Sequence, residues 1–282
     1  MTALALNSTI RLNSGNNIPR LGFGVAYGFG KWEDPYEITK PSVLEALKVG
    51  YRHFDTAQMY GNEREVGEAI RESRVRRKDV FVTSKVPSGG YRNVLSSVDG
   101  SLRQLGFDYV DMYLIHSPPS GTARRLETWR GFIDAKKSGK VRSIGVSNYN
   151  VNHLEEIKQA GYELPAVNQI ELHPFCQQKP IVEWCRANGV AIEAYCPILR
   201  GQLGNPVVVS IAKRLNRDPA QILLRWSLQS GFIPLIRSSN PARIKSNTDL
   251  YDFELSGEDM AKLNALDRGE RGAIGWNPIH RR

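Results

Sequence analysis

Eight short apolar runs recur along this 282-residue chain, each followed by a stretch with helical spacing, and that alternation leaves few folds open. The runs are LGFGVA (21–26), HFDT (53–56), VFVTSKV (80–86), YVDMYLIHS (109–117), VRSIGVSN (141–148), AVNQIEL (166–172), VAIEAYCP (190–197) and GFIPLIRS (231–238). They are continuous rather than alternating, as strands are when helices cover both faces of a parallel sheet. The helical stretches are a run ending in SVLEALKVG (42–50), then NEREVGEAIRES (62–73), VLSSVDGSLRQLG (94–106), ARRLETWRGFIDAKKSG (123–139), VNHLEEIKQAG (151–161), PIVEWCRANG (180–189), VVVSIAKRLN (207–216) and PARIKSN (241–247). In the second of these Val66, Ala69 and Ile70 share one face. Eight such units favour an α/β fold closed as a (β/α)8 TIM barrel over a doubly wound sheet. A further helix is expected over SGEDMAKLNALD (256–267). STIRLNSGNNIPR (8–20) reads as two strands around a Ser-Gly-Asn-Asn turn, a β-hairpin that closes the barrel bottom. No linker splits the chain, so residues 1–282 are expected to form one domain.

Charge and cysteine content narrow the partners. The formal net charge is +9, from 38 Lys and Arg against 29 Asp and Glu. Part of the excess is local, in RESRVRRK (71–78) and the terminal HRR, which read as a solvated helix end and a tail without interleaved aromatic residues. No nucleic-acid partner is expected. A phosphorylated small ligand is the more economical reason for basic residues beside a pocket. No apolar run has the length of a membrane span, and MTALALNSTIRLN lacks a basic start followed by an apolar core. Cys176, Cys185 and Cys196 form no CxxC pair and leave one over. A reduced, cytoplasmic monomer without a membrane partner is the expectation.

Three strand-like runs end on polar residues. Asp55, Lys85 and His116 close the second, third and fourth runs, and Tyr60 follows Asp55 one turn later. Neighbouring parallel strands lie about 4.8 Å apart, so these tips fall within roughly 10–15 Å of one another on the face where barrels carry active sites. Period two places His53 with Asp55, Thr83 with Lys85, and Leu114 with His116 on common faces. A lone buried ammonium is costly, which makes Asp55 the natural partner of Lys85. Taken singly, each residue has a bland reading: a solvated Lys, a packed Tyr, a core His. Together they suit the delivery of a proton to a carbonyl oxygen. The Lys85 ammonium would lower the Tyr60 pKa from its usual value near 10, Asp55 would hold the ammonium, and His116 would orient the carbonyl. No side chain carries a hydride, so a nicotinamide is required.

With these residues in view, the chain resembles the aldo-keto reductases over nearly its whole length. The resemblance rests on GYRHFDTAQMYGNEREVGEAI (50–70), VFVTSKV, LGFDYVDMYLIHSP (105–118), GVSNYN (145–150), VNQIELHPF (167–175), AYCPILRG (194–201) and SSNPARIKSN (238–247). It implies a (β/α)8 barrel that binds NADPH in extended form and reduces aldehydes and ketones. The family tetrad falls on Asp55, Tyr60, Lys85 and His116. Ser147, Asn148 and Gln169 match its contacts with the nicotinamide carboxamide, and Tyr195 matches the aromatic residue that stacks on the ring.

The segment RSSNPARIKSN (237–247) joins the eighth strand to a helix start, where free N–H groups favour an anion. Arg237, Ser238 and Arg243 add donors suited to the adenosine 2′-phosphate of NADPH, and Ser239, Asn240 and Asn247 complete the expected cofactor contacts. Arg stands at 237 where the family usually has Lys, and Ser at 246 where it often has Glu, so NADPH is expected to be preferred with NADH tolerated. The substrate pocket is expected to include Tyr27, Ser117 (where the family often has Trp) and Trp276. These departures resemble short microbial and fungal members, which often accept α-keto or diketo compounds.

Rival readings have weaker support. Gly22 and Gly24 are followed by Tyr27, which breaks the G-x-G-x-x-G of a Rossmann dehydrogenase, and Tyr36 with Lys40 spells YxxxK in the wrong place, before the second strand. A Schiff-base aldolase using Lys85 and a nucleotide-sensing regulatory subunit are the alternatives from other classes. His53, His116, His153, His173 and His280 show no ligand spacing, and no metal is expected.

Overall fold

The computed structural model describes residues 4–27, 34–87, 91–275 and 277–280. Its eight parallel strands are β3 (Gly22–Gly24), β4 (His53–Asp55), β5 (Phe81–Val86), β6 (Val110–Ile115), β7 (Val141–Ser147), β8 (Val167–Glu171), β9 (Ala191–Tyr195) and β10 (Ile233–Ile236). They run in chain order around a closed barrel, with β10 pairing back onto β3. The expected (β/α)8 barrel is therefore the fold.

Period two along the strands sorts the interior into layers. Phe81, Met112, Leu114, Val167 and Ile233 fill the lower barrel together with Leu12 and Ile18. Above them the barrel interior turns polar, with His53, Thr83, Lys85, Gln169 and Glu193 all buried. The larger apolar core lies outside the barrel wall, where Tyr113, Trp129, Phe132 and Trp226 pack under the helices.

The amino-terminal hairpin pairs β1 (Thr9–Arg11) with β2 (Asn17–Pro19), antiparallel. Its turn is tied to the end of the barrel opposite the strand tips. Ser14 Oγ lies 2.8 Å from Ser143 Oγ, Asn16 Nδ2 donates to Ser143 Oγ at 2.9 Å, and Asn13 Nδ2 donates to the Pro165 carbonyl at 3.0 Å. Short polar side chains thus satisfy the barrel floor while Leu12 and Ile18 plug it.

Helices α1 (Pro35–Val49), α2 (Glu63–Glu72), α3 (Tyr91–Leu105), α4 (Thr122–Lys137), α5 (Val151–Gln159) and α6 (Lys179–Ala187) follow β3 to β8 in turn. The seventh unit differs from expectation. It carries two helices, α7 (Pro206–Leu215) and α8 (Pro219–Gln229), before β10. The start of α8 has a local cause: Asp218 accepts from Ala220 N–H at 2.8 Å, Gln221 Oε1 accepts from Asp218 N–H at 2.9 Å, and Pro219 occupies the first turn. Helix α9 (Pro241–Ser246) completes the eighth unit, and α10 (Gly257–Asn264) follows.

Candidate active site

Lys85 is the hub of the strand tips. Its side chain is fully buried, and its ammonium ion-pairs with Asp55 Oδ1 across the β4–β5 register. It also donates to the Thr56 carbonyl at 2.9 Å and to the Tyr60 hydroxyl at 3.4 Å. Burial alone would depress its pKa; the Asp55 charge, followed by Tyr60, carries it above the ordinary lysine value. An ammonium so held is poorly suited to act as a free amine, which argues against the Schiff-base reading.

Tyr60 ends a 3-10 turn, Gln58–Tyr60, that leaves β4. Gln58 Nε2 anchors this turn to α3 by donating to the Ser97 carbonyl at 2.8 Å and to Ser101 Oγ at 3.1 Å. Gly61 supplies the left-handed φ of 69° that reverses the chain before α2. The expected lowering of the Tyr60 pKa is outweighed. Burial pushes the phenol above its usual value and Asp55 adds to the rise, while Lys85 pulls against both. The hydroxyl therefore keeps its proton throughout the neutral range.

His116 follows β6, its ring edge-on to Tyr60 with centroids 5.5 Å apart. Burial, helped by Lys85, pushes its pKa down to about 3, so the ring is neutral. Nδ1 is shut off from solvent and has no hydrogen-bond partner among the described residues. Orphaned buried N–H groups are rarer than orphaned acceptors, so the single ring proton belongs on Nε2, where it can be donated.

The carboxamide candidates gather on the adjacent tips. Ser147 ends β7, and its hydroxyl donates to the Gln169 carbonyl at 2.8 Å. Asn148, with a left-handed φ of 62°, donates through Nδ2 to the His116 carbonyl at 3.2 Å. The hydroxyl of Tyr195, the last residue of β9, donates to Asn148 Oδ1 at 2.8 Å. Gln169 reaches across the barrel interior, its Nε2 donating to Asp55 Oδ2 at 2.8 Å. One hydrogen-bonded assembly thus joins β4, β5, β6, β7, β8 and β9.

The fold agrees with known proteins. A model of the aldo/keto reductase family matches residues 20–268. The chain belongs to the aldo/keto reductase family. An aldo-keto reductase of Mycolicibacterium vanbaalenii is 44% identical over 274 residues, covering 96% of each chain. The glyoxal reductase of Bacillus subtilis is 43% identical over 277 residues, covering 97% of each. A solved silkworm (Bombyx mori) aldo-keto reductase in complex with NADP is 36% identical, covers 96% of each chain and superposes with a TM-score of 0.87.

The turn after β10 in this aldo-keto reductase is built differently from the simple expectation of free N–H groups. Asn240 Oδ1 already takes the Arg243 N–H at 3.1 Å, Ser238 Oγ takes the Asn240 N–H at 3.2 Å, and Pro241 has no N–H. Cationic and hydroxyl side chains remain: Arg237, Ser239 and Arg243 are exposed along it, with Asn247 buried beneath. Tyr27, expected in the substrate pocket, is tied to this turn. It is buried, its hydroxyl donates to the Ser238 carbonyl at 2.9 Å, and the Arg237 guanidinium lies 5.4 Å from its ring centroid. Arg237 also donates to the Ala26 carbonyl at 2.8 Å. Ser117 is buried next to His116. Trp276 lies outside the described residues; just before it, Ile274 and Gly275 donate their N–H groups to Glu171 at 2.6 and 3.0 Å.

Sequence reasoning missed the buried acids of this reductase. Glu193 accepts from Gln169 Nε2 at 2.6 Å and faces His53 Nε2 at 3.4 Å, and Glu171 holds the tail. The available signal was a charged residue in the middle of an apolar strand, in AIEAY and VNQIE. His53 fits under this layer because β3 presents Gly22 to it; a Cβ there would lie 2.8 Å from His53 Nδ1.

Burial also pushes the His53 pKa down to about 3. An unfolded histidine titrates near 6.5, so between about pH 3 and 6.5 the unfolded chain binds protons that folded His53 and His116 do not. Stability is then expected to fall as pH drops below about 6.5, each histidine adding up to about 1.4 kcal/mol per pH unit. Urea unfolding of wild type and His116→Gln between pH 4.5 and 7 checks this. An unchanged slope in the variant would refute the assignment of a neutral, proton-shunning His116.

Proposed function

We propose that this aldo-keto reductase uses NADPH to reduce small carbonyl compounds, with α-keto and dicarbonyl substrates favoured, and that Tyr60 supplies the proton. The observation that carries this reading is Lys85, which touches the Asp55 carboxylate and the Tyr60 hydroxyl at once. The residues present suit the cofactor. Gln169 has its amide nitrogen committed to carboxyl groups, leaving its oxygen to accept from a carboxamide. Ser147 and Asn148 lie beside it, and Tyr195 offers a ring. Arg237, Arg243 and Ser239, backed by Ser238, Asn240 and Asn247, suit a 2′-phosphate. Bound there, reduced nicotinamide supplies the hydride.

The protein's own groups do the rest. His116, neutral, donates a hydrogen bond to the carbonyl oxygen and fixes its direction. The Tyr60 proton passes to that oxygen as negative charge develops on it, and the adjacent ammonium stabilises the phenolate left behind. Asp55 keeps the ammonium charged and in place. The small Ser117 beside His116 leaves room for a compact polar substrate, and the glyoxal reductase relative supports a dicarbonyl class. Three unpaired cysteines fit a reducing compartment such as the cytoplasm, and we read the working form as a monomer.

An NADPH-oxidation screen over α-dicarbonyls, α-keto esters, simple aldehydes and sugars tests the reading. The highest kcat/KM is expected for the dicarbonyls. NADPH is expected to bind more tightly than NADH by about tenfold to a hundredfold, as charge-assisted contacts to a phosphate allow, and Arg243→Ala should erase most of that margin. A flat response across all substrates, with cofactor bound, would overturn catalysis in favour of nucleotide sensing.

A further inference from the structure

Glu193 is a buried acid that the proposed chemistry leaves unused. It lies mid-strand in β9, fully buried, in register with Gln169 on β8. Gln169 Nε2 is held between two carboxyl groups, Asp55 Oδ2 at 2.8 Å and Glu193 Oε2 at 2.6 Å. An amide nitrogen has two hydrogens, and these two acceptors use both. An amide flip would set Gln169 Oε1 against two carboxyl oxygens, so one orientation is locked. With Asp55 alone beneath it, a single N–H would be fixed and the lock weakened.

We infer that Glu193 is a positioning residue: acting through Gln169, it holds the amide oxygen in the orientation that accepts from the nicotinamide carboxamide. This rests on the NADPH reading above. The remaining geometry agrees. Glu193 Oε1 has no conventional hydrogen-bond partner among the described residues, but it faces His53 Nε2, 3.4 Å away. The ionisable groups that act on it are His53 and Asp55 from β4 and Lys85 from β5. Burial, with Asp55 adding, pushes the Glu193 carboxyl up to about 8, so it carries a proton at neutral pH. A proton on Oε1 points to the neutral His53 ring, while Oε2 still accepts from Gln169. The lock is therefore made without a second negative charge beside Asp55.

The test measures binary dissociation constants, by fluorescence or calorimetry, for NADP+ and for its 3-acetylpyridine analogue, whose methyl ketone lacks the carboxamide N–H donors. Wild type should prefer NADP+ by about threefold to tenfold, the range of one hydrogen bond. Glu193→Met, apolar and of similar length, should bring that ratio close to one while analogue affinity stays unchanged. Glu193→Gln, which can still accept from Gln169 and donate to His53, should keep the wild-type ratio. Should Glu193→Met fail to fold, Glu193→Leu serves the same comparison. Wild-type binding with an undiminished ratio in the apolar variant overturns this inference alone. Wild type that binds neither dinucleotide overturns the cofactor reading, and this inference with it.

Discussion

Tyr60→Phe should lower kcat for carbonyl reduction by about a hundredfold to ten-thousandfold, the span that general acid catalysis contributes. The variant keeps the ring that sits edge-on to His116 and over the Lys85 ammonium, so packing at the mouth is preserved. What it loses is the hydroxyl 3.4 Å from Lys85 Nζ, and with it the transferable proton. His116 is a poor substitute: in its neutral form it can donate a hydrogen bond, but giving up its proton would leave an imidazolate. NADPH affinity should stay within about twofold, because the carboxamide and phosphate candidates lie on other strand tips. Single-turnover kinetics with pre-bound NADPH separates the two effects. Turnover near the wild-type rate would remove Tyr60 from the role of acid.

Lys85→Met is expected to be the most damaging substitution for stability, at about 3–5 kcal/mol. The change strands the Asp55 carboxylate in a buried layer with Gln169 as its remaining described side-chain donor. It also leaves the Thr56 carbonyl without its 2.9 Å donor. The double variant Asp55→Asn/Lys85→Met removes the charge as well, so much of the lost stability should return, while activity should not. Urea unfolding of wild type, the single variant and the double variant measures this directly. A single variant as stable as wild type would mean that the pair contributes no net stability.

Most of the architecture was legible because burial on both faces writes long apolar runs into parallel strands. Asp55, Lys85 and His116 stood out because each ends such a run with a polar group that needs a partner. Other features were not legible. Helix α8 was hidden because nearly all of it is buried, so no polar face marks a helical period; its Asp-Pro-Ala-Gln start was the clue. The partner of Tyr27 was hidden, since spacing along the chain does not reveal that its hydroxyl meets Ser238, 211 positions later. The direction of the Tyr60 pKa depended on burial against one nearby ammonium, a balance that residue types alone do not set. The lock on Gln169 belongs with these, because β4 and β8 face each other only once the barrel is closed.

The floor of the barrel bears on how the chain matures as it is made. Synthesis proceeds from the amino terminus, yet the hairpin's partners are Ser143, 129 positions beyond Ser14, and Pro165, 152 beyond Asn13. Strand β3 waits longer still for β10, which pairs Leu235 with Gly22. Leu12 and Ile18 must therefore wait, unpacked or held by a chaperone, for Val167 and Ile233 to emerge, whereas Phe23 can pack early on Tyr51 and Phe54. The hairpin, made early, is among the last elements to find its place, and the emergence of β10 from the ribosome sets the earliest moment at which the closed barrel can exist.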